Sequence, residues 1–336
     1  MEINFIKFIT FKRLVNIISI ISSFFLSKLL RKPIVWGLPI TFSIEPTNRC
    51  NLKCPECPSG LGILTRDLGL LSLENFSLII NQIKGHCFYI QLFFQGEPYI
   101  NKNLSKMVNF ARENKVYTAI STNGLLLKNT KISELLDSPP DKLVFSIDGL
   151  DEVSYQNYRV GGKFEDAKNS LINLINEKKK RKQKLPYIEM QFIAMKQNEH
   201  QIDDVFKFGK EVGVDKVVIK TMQVSSFENG VKFLPQNKKY SRYLLNNGIL
   251  QIKNKLKNHC FALWRTSVVT WDGDVVPCCF DKDANYPLGN IFNQKFKVIW
   301  KDNRYNSFRQ RVLNDRKGID ICSNCTEGLK INIFED

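Results

Sequence analysis

Three cysteines, Cys50, Cys54 and Cys57, stand within eight residues in "CNLKCPECP", directly after the apolar run "ITFSIEPT". The C-x3-C-x2-C spacing is too tight for an ordinary disulfide framework, which leaves a zinc site or an iron–sulfur cluster. A structural zinc site fills all four tetrahedral positions with protein ligands. Here a fourth is missing, because His86, His200 and His259 all lie far from the loop in sequence. Three thiolates leave one metal position open to a substrate or cofactor, which is what a reactive centre needs.

A second group follows late in the chain. Cys260, Gly273 and Cys278 form C-x12-G-x4-C, and "CSNC" adds Cys322 and Cys325. Four thiolates suit either zinc or one [4Fe–4S] cluster. The stretch "VVTWDGDVVPCCF" reads as a β-hairpin around its Asp-Gly turn, which folds the cysteines back on one another. Cys279 is spare and is expected not to be a ligand. Cys87, entering a strand, reads as a buried structural thiol.

These residues need a scaffold. From residue 39 the pattern alternates: strands at 39–47, 89–96, 117–124, 142–149, 187–195 and 216–222, with helices at 72–84, 103–113, 130–137, 151–158, 165–182 and 201–212. Six such units predict an α/β fold, a partial TIM-type barrel with its chemistry in the loops after the strands. Domain boundaries are expected at 1–38 (an apolar helical segment), 39–225 (the core), 226–259 (a linker with some helix) and 260–330 (the second cysteine unit).

The chain has 336 residues, 43% hydrophobic and 24% charged, a globular composition. Nine cysteines cannot all pair internally, and no cleavable signal peptide is evident, so a reducing, cytoplasmic setting is expected. A net charge of +16 admits nucleic acid or an anionic membrane. The densest run, "EKKKRKQK" at 177–184, closes a helix where lysines suit the dipole and lacks interleaved aromatics, which argues against nucleic acid.

With these motifs in order, the chain resembles the radical S-adenosylmethionine (SAM) superfamily. "FQGEP" (Gly96, Glu97), "STNG" (Ser121, Asn123), "SIDG" (Ser146, Asp148) and "YRVGGKF" (Arg159) are similar to that family's SAM-binding segments in order and spacing. One departure is Glu56, where the family usually has an aromatic residue before the third cysteine. The resemblance implies a [4Fe–4S] cluster on Cys50, Cys54 and Cys57, with SAM on the fourth iron. Its one-electron cleavage would give a 5′-deoxyadenosyl radical that takes a substrate hydrogen atom. Residues 260–330 resemble the SPASM auxiliary-cluster domain in its shortened twitch form, with Cys260, Cys278, Cys322 and Cys325 holding a second [4Fe–4S] cluster.

The resemblance implies an oxidoreductase-type enzyme supplied by a reductant such as flavodoxin or ferredoxin. Its substrate would be a small or lipid-linked molecule, with a peptide-modifying maturase as the alternative. Asp281 is the candidate base, against a plain turn carboxylate. Two further readings are a non-catalytic electron-transfer protein and a basic zinc protein. Outside the array, "LVNIISIISSFFLS" within residues 5–32 has two readings: a helix lying at the inner membrane face, or a helix packed over the barrel.

Overall fold

The computed structural model describes residues 7–326, so residues 1–6 and 327–330 of the expected segments lie outside the described residues. The strands are β1 (Thr41–Ile44), β2 (Tyr89–Gln91), β3 (Tyr117–Thr122), β4 (Lys142–Ser146), β5 (Tyr187–Ala194), β6 (Lys216–Thr221), β7 (Tyr243–Asn246), β8 (Ile249–Ile252), β9 (Thr266–Val269) and β10 (Val275–Val276). Eight of them form one sheet in the order β10-β9-β1-β2-β3-β4-β5-β6. Strands β1 to β6 follow chain order, as a partial TIM-type barrel requires. The predicted hairpin is β9–β10, antiparallel, and β9 adds itself parallel to β1 with Thr41 opposite Thr266. That last pairing was not expected.

The described chain divides into two compact units. The first comprises residues 7–49, 64–119 and 256–326 of the described chain. Its helix Leu73–Ile83 shows why the array forms: Ser72 caps it by accepting from the Asn75 N–H at 3.0 Å, Glu74 sits in the first turn, and Phe76, Ile79, Ile80 and Ile83 form its buried stripe. Around β9 the core is aromatic. Arg309, fully buried, lies 4.2 Å from the Trp300 ring and 4.0 Å from that of Tyr305, and donates to the carbonyls of Leu263 and Trp300. Burial pulls its pKa down to about 10.

Helix α1 (Phe11–Leu30) also belongs to this unit. Its buried side chains are Arg13, Ile20, Ser23, Phe24 and Ser27. Buried Arg13 donates to the carbonyls of Phe8 (2.6 Å), Lys115 (2.8 Å) and Lys84 (2.8 Å), and Asn16 bonds Leu38 in both directions.

The second unit comprises residues 50–63 and 120–255 of the described chain. Helix Ile202–Val212 ends at Gly213, whose φ of 91° lies in the left-handed region, and it packs Gly209 against Val217 and Met190. The stretch expected as a linker is ordered structure: a helix Phe227–Phe233 and the hairpin β7–β8. Phe233, Leu234 and Tyr243 are buried in the unit's core.

Candidate functional site

Cys50, Cys54 and Cys57 lie in the second unit, on a loop held by its own backbone. The Lys53 N–H donates to the Val160 carbonyl at 2.8 Å, and the Cys57 N–H to that of Cys54 at 3.1 Å. Cys57 then opens the short helix Pro58–Leu61, whose Gly60 comes so close to the Cys54 backbone that a Cβ would sit 2.6 Å from its nitrogen. Buried Cys54 packs with Leu52, Tyr158, Met195 and Phe233, and Cys50 and Cys57 border the same apolar cluster. Burial, followed by the charges of Cys57 and Cys50, pushes the Cys54 thiol up to about 11, with Arg159 opposing.

A bare thiolate is therefore costly on this bed, and bound iron would have to carry its charge. All three are free thiols. Among the described residues no three His, Cys, Asp or Glu side chains converge on a single-ion site. A four-iron cluster takes each thiolate on a separate iron, so this donor set fits a cluster.

The other predicted residues of this unit gather around one ion pair. Asp148, fully buried, accepts from Arg159 Nε and Nη2 (both 2.6 Å) and from the Ile193 N–H at 2.7 Å. Burial works against the Arg159 charge, but Asp148 and then Cys54 outweigh it and hold its pKa above the usual value. Arg159 is thus no surface residue. Asn123 donates to Asn51 Oδ1 at 2.9 Å beside the cysteine loop, and Gly124 (φ 79°) packs against the Phe145 ring where a Cβ would clash. Ser121 and Ser146 are half-buried near the ends of β3 and β4. Glu56 accepts from Ser225 Oγ at 3.3 Å.

In the first unit, Gly96 (φ 78°) lies against the backbone that runs into Cys50: a Cβ would come within 2.5 Å of the Thr47 carbonyl and 2.6 Å of that of Arg49. The Glu97 N–H donates to the Arg49 carbonyl at 2.8 Å, and its buried carboxylate accepts from the Tyr99 N–H at 3.2 Å. Glu97 therefore caps a short 3-10 turn, the competing use for a carboxylate there.

The four late cysteines sit in the first unit. Burial pushes Cys322 up to about 11, with Arg316 opposing and Cys260 and Cys325 adding to the rise. Cys278 is raised by burial, then by Cys279, and it also feels Cys260 and Cys322. Cys279 is exposed, which favours Cys278 as the inward thiol. Sequence reasoning missed Arg316. It donates to Cys325 Sγ at 3.2 Å and to the His259 carbonyl at 3.0 Å, and nothing in its sequence context marks it. Asp281 is fully buried and accepts from the N–H groups of Asn285 (2.8 Å) and Tyr286 (3.0 Å). It clamps the loop after Cys278, the turn role rather than that of an accessible base.

A charged group was also missed. Helix Ile202–Val212 covers the Met190 and Val217 face of β5 and β6, so Glu189, Gln191 and Lys220 lie on the opposite, helix-free face. Lys142 Nζ is 2.6 Å from Glu189, whose other oxygen accepts from Gln191 at 2.8 Å. Lys220 has its pKa lowered by burial, against Glu189.

Comparison with known proteins agrees with this arrangement. Residues 44–209 match the family model described as the Radical SAM superfamily, and residues 260–326 an iron–sulfur cluster-binding domain, SPASM. The chain is 24% identical, over 79% of its length and 82% of the relative's, to a tungsten-containing aldehyde ferredoxin oxidoreductase cofactor-modifying protein of Pyrococcus furiosus. It is 24% identical to the subtilosin biosynthesis protein AlbA of Bacillus subtilis, over 78% of this chain and 60% of that one. Among solved structures, SuiB of Streptococcus suis bound to precursor peptide SuiA matches with TM-score 0.62 and 17% identity, over 87% of this chain and 70% of that one. BtrN in complex with AdoMet and 2-DOIA matches with TM-score 0.52 and 21% identity, over 86% and 93%. The protein belongs to the radical SAM superfamily, with a C-terminal SPASM iron–sulfur domain, a [4Fe–4S] cluster and SAM as its cofactors.

Proposed function

We propose that this protein is a radical SAM enzyme that removes a hydrogen atom from its substrate and oxidises the product radical. The observation that carries this reading is the three-thiol loop on a dry apolar bed, beside an arginine locked by a buried carboxylate. When bound, the cluster and SAM supply reductive cleavage to methionine and a 5′-deoxyadenosyl radical. Cys50, Cys54 and Cys57 would hold three irons and leave the fourth to SAM. Asp148 fixes Arg159 through Nε and Nη2, which leaves Nη1 to meet the SAM carboxylate. Asn123, Ser121 and Ser146 border the same region, and the Gly96–Glu97 backbone supports the chain entering Cys50. The apolar cluster around Cys54 excludes water, which a radical intermediate requires.

Cys260, Cys278, Cys322 and Cys325 would hold one auxiliary cluster, able to take the second electron while flavodoxin or ferredoxin supplies the first. The helix-free face of β4–β6 is the place for substrate. Lys142 is matched by Glu189, and Lys220 adds a cation with no ion-pair partner within 4 Å among the described residues, so the face suits a substrate carrying a carboxylate or phosphate.

A second reading, a peptide maturase, is favoured by the names of AlbA and of the PqqA peptide cyclase of Bradyrhizobium diazoefficiens, which is 26% identical over 56% of this chain and 48% of its own. The test is anaerobic reconstitution followed by reduction with SAM. Formation of 5′-deoxyadenosine is expected; stoichiometric zinc with no iron and no SAM cleavage would overturn the reading.

A further inference from the structure

We infer that α1 lies flat on an anionic lipid bilayer and docks the enzyme there. This goes beyond the catalytic reading and is independent of it. A helix on a protein surface turns its apolar stripe inward and its polar residues to water. Helix α1 buries Ile20 and Phe24 together with Arg13, Ser23 and Ser27, yet it also turns a second apolar stripe outward. Its inner face is fastened to the first unit by Phe24 against the Phe261 and Trp264 rings, by Arg13 and Asn16, and by Ser27 through paired bonds with Ile34 at 2.9 and 2.8 Å. The outer face carries Phe11 (83% exposed), Leu14, Ile18 (56%), Ile21, Phe25 (60%) and Leu29 (78%), at intervals of three and four residues. These form one apolar stripe along a helix of 20 residues, about 30 Å long.

The charges around the stripe select the occupant. Lys7 and Lys12 flank its start, and Lys28, Arg31 and Lys32 its end; all five are exposed, and no acidic residue occurs from residue 3 to residue 44. Trp36, 56% exposed, follows the C-cap and has the amphipathic ring suited to a headgroup layer. An apolar face between cationic ends is the composition of a helix that settles at an anionic interface.

A second copy fits poorly. Pairing two α1 stripes sets cations against cations in either orientation, with no carboxylate on the segment to offset them. Crossing the bilayer fits poorly too, although α1 is long and apolar enough by composition. It would strip Arg13 of its three carbonyl partners and place it in hydrocarbon.

The test uses the full chain, reconstituted, in co-sedimentation with phosphatidylcholine vesicles containing about a third phosphatidylserine. The wild type is expected to sediment at moderate salt, and to release when phosphatidylserine is omitted. The triple variant Phe11→Glu, Ile18→Glu, Phe25→Glu, changed only at exposed positions, should lose more than tenfold in partitioning. Its iron content and SAM cleavage should match the wild type, which shows that it has folded. A second variant, Lys28→Ala, Arg31→Ala, Lys32→Ala, should weaken binding to the anionic vesicles. The inference is overturned if the wild type stays in the supernatant or the triple variant sediments undiminished. It is equally overturned if the wild type dimerises through this face, seen as a mass halved by the triple substitution without any vesicle binding.

Discussion

The two thiol groups of this protein are built to opposite plans. In the second unit three cysteines border an apolar cluster, and the nearby cation, Arg159, is already engaged by Asp148. In the first unit four cysteines gather, and their cation, Arg316, donates directly to Cys325. A set of three beside a fixed arginine leaves room for a ligand with its own carboxylate. On the proposed reading, a set of four with an arginine on a thiol would supply every protein ligand of its cluster and offset its charge in place. On that reading the difference would be between a centre that reacts and one that passes charge.

Removing the three should separate the plans most sharply. The variant Cys50→Ala, Cys54→Ala, Cys57→Ala is expected to fall from roughly eight iron atoms per chain to about four, and to lose SAM cleavage altogether. Iron analysis and chromatography of 5′-deoxyadenosine measure both. Retained cleavage would break the comparison.

Removing half of the four should cost less. With Cys322→Ala and Cys325→Ala, about four irons should remain on the three-thiol loop, and formation of 5′-deoxyadenosine without product should persist. Substrate turnover should drop steeply. If it did not, the second site would be dispensable for the reaction.

Much of this contrast was legible in the chain, because thiol spacing and the strand–helix alternation are local signals. The six βα units and the β9–β10 hairpin follow from patterns within about ten residues. What escaped depends on partners distant in sequence. Arg316 is one arginine among many until the fold brings it to Cys325. Lys142 and Glu189 meet because β4 and β5 pair with Val144 opposite Glu189. Arg13 is one cation beside an apolar segment until the fold brings it to three carbonyls. One miss was avoidable: "YLLNNGILQI" carries an Asn-Gly turn, and Asn247 (φ 45°) and Gly248 (φ 77°) are the two positive-φ residues of a tight hairpin.

The ion pair of the three-thiol side offers a finer test. Asp148→Asn keeps the shape but leaves Arg159 as a buried charge without its counter-ion. Breaking such a pair costs about 3–5 kcal/mol, and the loss should appear as a lower unfolding midpoint with weaker SAM binding. Arg159→Lys keeps the charge but loses the fork, so SAM affinity should fall about tenfold or more with a smaller loss of stability. Unchanged SAM affinity in both would remove Arg159 from the site.

The smallest expected effect sets the two units apart by pH. The first unit buries His86, whose Nδ1 lies 2.7 Å from the Pro39 carbonyl and whose ring stacks on Phe296. Burial lowers its pKa to about 4, so the fold holds the neutral ring while the unfolded chain takes up a proton near pH 6.5. Stability from this residue is therefore complete above that pH and is lost as pH falls toward 4. The second unit has only exposed His200, with no equivalent buried ring. Between about pH 7.5 and pH 5.5 the His86 contribution should cost on the order of 1 kcal/mol. His86→Gln should flatten the pH dependence of denaturant unfolding by that amount, whatever it does to stability at neutral pH. If His86→Gln kept the wild-type slope, the buried ring would not be the source of this acid sensitivity.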